Sequence, residues 1–77
     1  MNRIKEEILK LLEKRDMTST EIRRELERRG FCDKKKGFTQ KINSYLLELR
    51  IKGLIEVVGE KSGAYLYSLT YKRHFFP

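Results

Sequence analysis

Leu46-Leu47-Glu48-Leu49-Arg50-Ile51-Lys52-Gly53-Leu54-Ile55 changes its period at the glycine. Upstream, Ile42, Leu46 and Leu49 step by four and three with Tyr45 beside them, one face of a 3.6-residue repeat. Thr39 is placed to cap the start and Gly53 to end the pattern, so the spacing predicts a helix over about Thr39–Lys52. Beyond Gly53 the period falls to two. Leu54 to Val58 is apolar and β-branched, Gly59-Glu60-Lys61-Ser62-Gly63 is turn chemistry, and Ala64 to Tyr71 alternates. The segment over about 54–71 therefore reads as a β-hairpin. Tyr65, Tyr67, Leu69 and Tyr71 share one face and are expected in the core, since buried aromatics carry much of a small core, with a stacking platform for single-stranded bases as the alternative for the three tyrosines. Leu66 falls on the other face and is a candidate interface residue.

Working back toward the N-terminus, Gly30 to Gly37 reads GFCDKKKG, a loop bracketed by glycines and filled with lysines. Before it, Thr18 with Glu21 three residues later is a capping-box pattern, Ile22 and Leu26 are the apolar positions, and Gly30 is a left-handed stop. A second helix is predicted over about Ser19–Arg29. Ile4, Ile8, Leu11 and Leu12 mark a first helix over Arg3–Lys14, with Glu6 and Lys10 as a favourable pair on its polar side. Arg15-Asp16-Met17 breaks the period between the two. Residues 72–77, KRHFFP, form a short tail.

Three helices followed by a hairpin is an α+β order. The run from Leu46 to Ile55 resembles the L-x-x-L-x-x-x-G-L-I pattern of winged-helix DNA-binding regulators of archaeal and bacterial type, and Tyr67-Ser68-Leu69 resembles their second wing strand. The resemblance spans about Ile4 to Tyr71. It implies a single winged helix-turn-helix domain over 1–77, with the third helix in the DNA major groove and the hairpin as wing. The interval from Leu26 to Ile42 exceeds the short turn usual between these helices. It implies an extended second helix and an enlarged turn.

The composition agrees with a small basic module. The chain has 77 residues, 18 Lys and Arg against 11 Asp and Glu, and a net charge of +7. One Cys excludes an internal disulfide, and one His with it is too few soft ligands for a structural zinc site. No apolar run approaches the ~20 residues of a membrane span, and the charged N-terminus is unlike a secretion signal. A cytoplasmic, nucleoid-associated location is expected. Lys, Arg and Glu are plentiful, while Asn, Gln and Cys together number four, a thermophile-like balance. No paired-carboxylate signature, phosphate loop, metal spacing or nucleophile elbow is present, so neither an enzyme nor a cofactor is expected.

The positive excess has a location. Residues 1–29 carry nine basic and seven acidic groups, whereas residues 30–41 carry four basic and one acidic. Lys34, Lys35, Lys36 and Lys41 are candidates for phosphate contact beside a helix N-terminus, although lysines also simply keep a loop solvated. With Ile42, Leu46 and Leu49 inward, Gln40, Lys41, Asn43, Ser44 and Arg50 fall outward, and Thr39 at the helix start joins them as a DNA-contact candidate. Asn and Gln pair with adenine edges and Lys with guanine acceptors, which makes this a candidate base-reading face. Short polar residues on any surface helix are the plain alternative. Leu47 falls on the same side and is expected to be partly buried. Lys61 at the wing tip is a further backbone candidate, opposed by Glu60. Arg23, Arg24, Arg28 and Arg29 of the second helix are partly offset by three glutamates, so most of that helix reads as a salt-bridged surface.

Phe75 and Phe76, with the broad apolar face of the first helix, suggest a homodimer on double-stranded DNA, with half-sites about one helical turn apart. Cys32 is either a redox-sensitive thiol or an ordinary loop thiol under Phe31. His74 is given no role. No membrane or small-molecule partner is expected. The function expected is sequence-specific binding of double-stranded DNA in transcription regulation. A winged helix used only for protein contact is the alternative. A reader of left-handed duplexes is weaker. Asn43 lies ten residues before Gly53 as in those domains, but Leu47 stands where they carry Tyr, and the wing lacks their Pro.

Overall fold

The computed structural model describes residues 2–31 and 37–71. The order of elements is α1 (Arg3–Lys14), β1 (Met17–Thr18), α2 (Ser19–Arg28), α3 (Phe38–Ile51), β2 (Ile55–Lys61) and β3 (Ala64–Leu69). This is an α+β fold of winged-helix-like topology, three helices ahead of an antiparallel hairpin.

Each helix starts and stops for a local reason. In α1 the Asn2 side chain accepts from the Ile4 amide at 2.8 Å. In α2 the capping box is complete. The Glu21 amide donates to Thr18 Oγ1 at 3.2 Å, and the Thr18 amide donates to Glu21 Oε1 at 3.0 Å. Both α2 and α3 end in a Schellman motif. At α2, Gly30 has φ +83°, the Phe31 amide donates to the Leu26 carbonyl at 2.9 Å, and the Gly30 amide donates to that of Glu27 at 3.1 Å. At α3, Gly53 has φ +77°, with Leu54 bonded to Leu49 at 3.0 Å and Gly53 to Arg50 at 2.9 Å. The stop after Arg28 corrects the expectation of an extended α2, because Gly30 turns the chain and Phe31 folds back on the core.

The start of α3 also differs from its sequence reading. Gly37, not Thr39, is the N-cap, it makes no side-chain capping bond, and Thr39 is an exposed residue of the first turn. The reason is Phe38. Its buried ring sits four residues before Ile42 and extends the inward face backward by one turn.

β1 is a two-residue strand that the sequence reading takes for a break between helices. It pairs with β3, Met17 opposite Tyr67 and Thr18 opposite Leu66, which makes a three-stranded sheet in the order β1-β3-β2. Leu66, expected on the outer face, is half-buried in that position. Two residues are too few for a period to show. The hairpin turn is tighter than expected, since β2 continues through Lys61. Only Ser62 and Gly63, with φ +53° and +79°, make the turn, the positive pair that a two-residue hairpin needs.

Ile8, Leu12, Ile22, Leu26, Ile42, Leu46 and Leu49 are almost wholly excluded from water, and Met17, Phe38, Ile55, Tyr67 and Leu69 close the core. Burying an aliphatic side chain contributes about 1.5–3 kcal/mol, so these seven carry much of the fold. Ile8, Leu11 and Leu12 of α1 are all spent here. Tyr65 and Tyr71 are not in the core, contrary to expectation, but about half exposed. A β-bulge between Val57 and Gly59 shifts the register of the hairpin. Beyond it Tyr65, opposite Glu60, projects past the end of the core, and Tyr71 lies beyond the end of β3.

Candidate nucleic-acid interface

Three elements meet at the first turn of α2. A hollow of about 430 Å³ on one side of that turn is lined by Thr18, Thr20, Glu21, Arg24, Lys61, Ser62 and Ala64, and so runs from α2 to the hairpin tip. A crevice of about 50 Å³ on the other side is lined by Ser19, Thr20, Arg23, Thr39, Ile42 and Asn43, and joins α2 to the first turns of α3. Thr20 borders both. The start of α2 is thus a ridge between the outward residues of α3 and the wing.

Glu21 holds this arrangement together. Oε1 takes the Thr18 amide, while Oε2 accepts from Lys61 Nζ at 3.1 Å and from Arg15 Nη1 at 3.2 Å. The Thr18 amide first, and then Lys61, lower the Glu21 carboxyl to a pKa of about 2. One carboxylate therefore caps α2 and ties down the wing.

The faces of α3 separate cleanly. Phe38, Ile42, Leu46 and Leu49 face the core. Lys41, Tyr45 and Glu48 recur at four and three on the flank toward α1, where Tyr45 Oη accepts from Asn2 Nδ2 at 3.2 Å and Glu48 pairs with Lys5. Lys5 also lowers the Glu48 carboxyl below its ordinary range. Thr39 and Asn43 lie on the opposite flank, toward α2. Gln40, Ser44, Leu47 and Ile51 run along the outermost stripe, and all four are exposed. Leu47 at 54% exposure corrects the expectation of partial burial, because no described element packs over this stripe.

The structure thus brings Thr39, Asn43 and Lys61 to one continuous surface, with Gln40 and Ser44 at its outer edge. Lys41 stands on the other flank of α3. Arg50 is exposed seven residues beyond Asn43, about 10 Å further along the axis. Lys34, Lys35 and Lys36 lie outside the described residues, as do Cys32 and the tail with His74, Phe75 and Phe76.

Sequence reasoning passed over Thr20 and placed Arg23 and Arg24 on a mostly salt-bridged surface rather than at the site. Most of the α2 arginines are indeed paired. Arg23 bonds Glu27 at 3.0 Å, Arg28 bonds Glu25 at 2.5 Å, and Arg29 reaches Glu7 at 2.6 Å. The Arg28 guanidinium, chiefly, lowers the Glu25 carboxyl. Arg24 is exposed and has no ion pair among the described residues. The capping box carried the signal, since it fixes residue 20 in the first turn and puts residues 23 and 24 one turn behind it.

Among the described residues, no three or more His, Cys, Asp or Glu side chains are grouped to hold a metal ion, and no helix is long and apolar enough to cross a membrane. No family model, curated protein or solved structure matches this chain.

Proposed function

We propose that this chain is a winged-helix protein that binds double-stranded DNA in a sequence-specific way and acts in transcription regulation. The observation that carries the reading is the continuous surface at the start of α2. There the polar first turns of α3, the arginines of α2 and the wing tip share two adjoining hollows. A polyanion with a groove beside its backbone fits a polar reading helix flanked by cations.

In this reading Gln40, Asn43 and Ser44 meet base edges in the major groove, with Thr39 at its rim. Asn43 and Gln40 supply the paired donor and acceptor that adenine requires. Arg23, Arg24 and Lys61 lie along one strand of the backbone, with Thr20 donating its hydroxyl. Lys41 and Arg50 are placed for the opposite groove wall and the far end of the helix. Lys34, Lys35 and Lys36 supply further charge ahead of α3. Every ion pair gained releases counterions, so affinity falls with salt.

The test is fluorescence anisotropy with a random-sequence duplex pool across a salt series, followed by sequencing of the retained DNA. The expected result is steep salt dependence with an enriched motif. A two-fold symmetric motif with half-sites about one helical turn apart supports a homodimer on the site. Steep salt dependence without any motif sinks sequence specificity. Absence of binding at low salt sinks the DNA reading and moves the assignment to protein contact.

A further inference from the structure

The outer stripe of α3 changes character along its length. Its first half is polar, with Gln40 and Ser44. Its second half is apolar, with Leu47 at 54% and Ile51 at 76% exposure, and past the Schellman turn Leu54 is 38% exposed. The Thr70 amide donates to the Leu54 carbonyl at 3.1 Å, which places half-exposed Tyr71 beside the end of this ridge. A helix that already buries Phe38, Ile42, Leu46 and Leu49 therefore carries a second apolar seam on its solvent side.

Charge selects what covers it. Arg50 and Lys52 rim the ridge, both exposed and without an ion pair among the described residues. The acid on the rim, Glu48, is bonded to Lys5 and also lies in the field of Lys52, so Arg50 is the cation of this rim that no described carboxylate offsets. A second copy of the chain is disfavoured, because antiparallel packing of the ridge on itself sets each Arg50 beside its copy. The area argues the same way. Four side chains about half exposed offer on the order of 400 Å², half of the ~800 Å² each partner gives in a stable complex. A short helix laid along the seam needs less.

We infer that the C-terminal half of α3 is a docking ridge for an amphipathic acidic helix of a partner protein. Leucine-type side chains of that helix lie against Leu47, Ile51 and Leu54, and its carboxylates meet Arg50 and Lys52. The ridge follows the base-reading half of the same helix, so a partner bound there leaves Gln40, Asn43 and Ser44 free and competes with the duplex for Arg50 alone.

The probe is a synthetic amphipathic helix with leucines on one face and glutamates flanking them. The control is the same helix with lysine in place of glutamate. Methyl NMR of the full chain reports the site. The expected result is saturable shifts of the Leu47, Ile51 and Leu54 methyls with the acidic helix. Affinity falls about tenfold in Ile51→Ser and several-fold in Arg50→Ser, as expected for one apolar contact and one ion pair. Ile51 is three-quarters exposed, so its replacement leaves the fold and duplex binding intact, and failure of this inference is separable from failure of the DNA reading. Equal binding of the lysine helix, or unmoved ridge methyls, overturns the inference. So does concentration-dependent self-association that Ile51→Ser abolishes, which assigns the ridge to a second copy. Ridge methyls that shift in Phe75→Ala/Phe76→Ala without any peptide overturn it in favour of the chain's own tail.

Discussion

Glu21 is the residue on which most of the described geometry converges. Its carboxylate closes the α2 cap, and it binds Lys61 across 40 positions of sequence and Arg15 at the end of α1. Its folded pKa of about 2 lies below the ordinary value of 4.5. The unfolded chain therefore binds its proton first on acidification. The Glu21 contribution is fully present above about pH 4.5 and is lost as pH falls toward about 2. Its side chain is about one-fifth exposed, so solvent screens part of the effect. A contribution on the order of 1–2 kcal/mol matches measured caps. Urea unfolding of Glu21→Gln against the parent should show that deficit at pH 7 and a gap that closes by pH 2. A gap independent of pH would assign the effect to packing instead. The Thr18–Glu21 pair was readable from spacing. The hold on Lys61 was not, because it depends on where the hairpin comes to rest.

At the scale of elements, α3 and its exit decide the architecture. Gly53 ends the helix with φ +77°, and a methyl group there would meet nothing within 4 Å. The cost of Gly53→Ala is thus conformational alone, about 1–2 kcal/mol for a left-handed residue. For a domain this size that is roughly 4–15 °C in Tm. An unchanged Tm would mean that the exit relaxes out of the left-handed region. Asn43→Ala belongs to the same scale. Asn43 is exposed, so the melting curve should be unchanged while discrimination at one base pair of the retained motif falls by about 1–3 kcal/mol. A retained motif of undiminished strength would remove α3 as the reader. Period and glycine position made α3 legible because both are local. What the sequence hid was non-local. β1 exists only because β3 passes beside it. Tyr65 lies on the core-facing parity of its strand but past the bulge, and it is exposed. Leu47 is exposed because no described element packs over the outer stripe of α3. The reading of most of α2 as a salt-bridged surface agrees with the pairs of Arg23, Arg28 and Arg29, but composition does not say that Arg24 is the arginine left over.

For the whole molecule, the proposed binding of DNA raises the question of how much of the +7 charge would act on the duplex. Charges already paired within the chain contribute less, because binding must first break the pair or share it. Arg24, without an ion pair among the described residues, is available at once. Removing one phosphate contact lowers the slope of log affinity against log salt by about 0.9. Arg24→Ala should therefore reduce the slope by about one while the enriched motif stays the same. Lys61 sits beside the Glu21 carboxylate. Lys61→Ala removes a cation and also leaves Glu21 facing the backbone with its charge less compensated. Its loss of affinity should exceed that of Arg24→Ala, and adding Glu21→Gln should recover part of it at pH 7. Salt-dependent anisotropy on one fixed duplex, run for the parent, both single variants and the double variant, decides the matter. Additive losses in the double variant would mean that Glu21 and Lys61 act independently at the DNA surface. A slope unchanged in both single variants would place the backbone contacts elsewhere, with the lysines that precede α3.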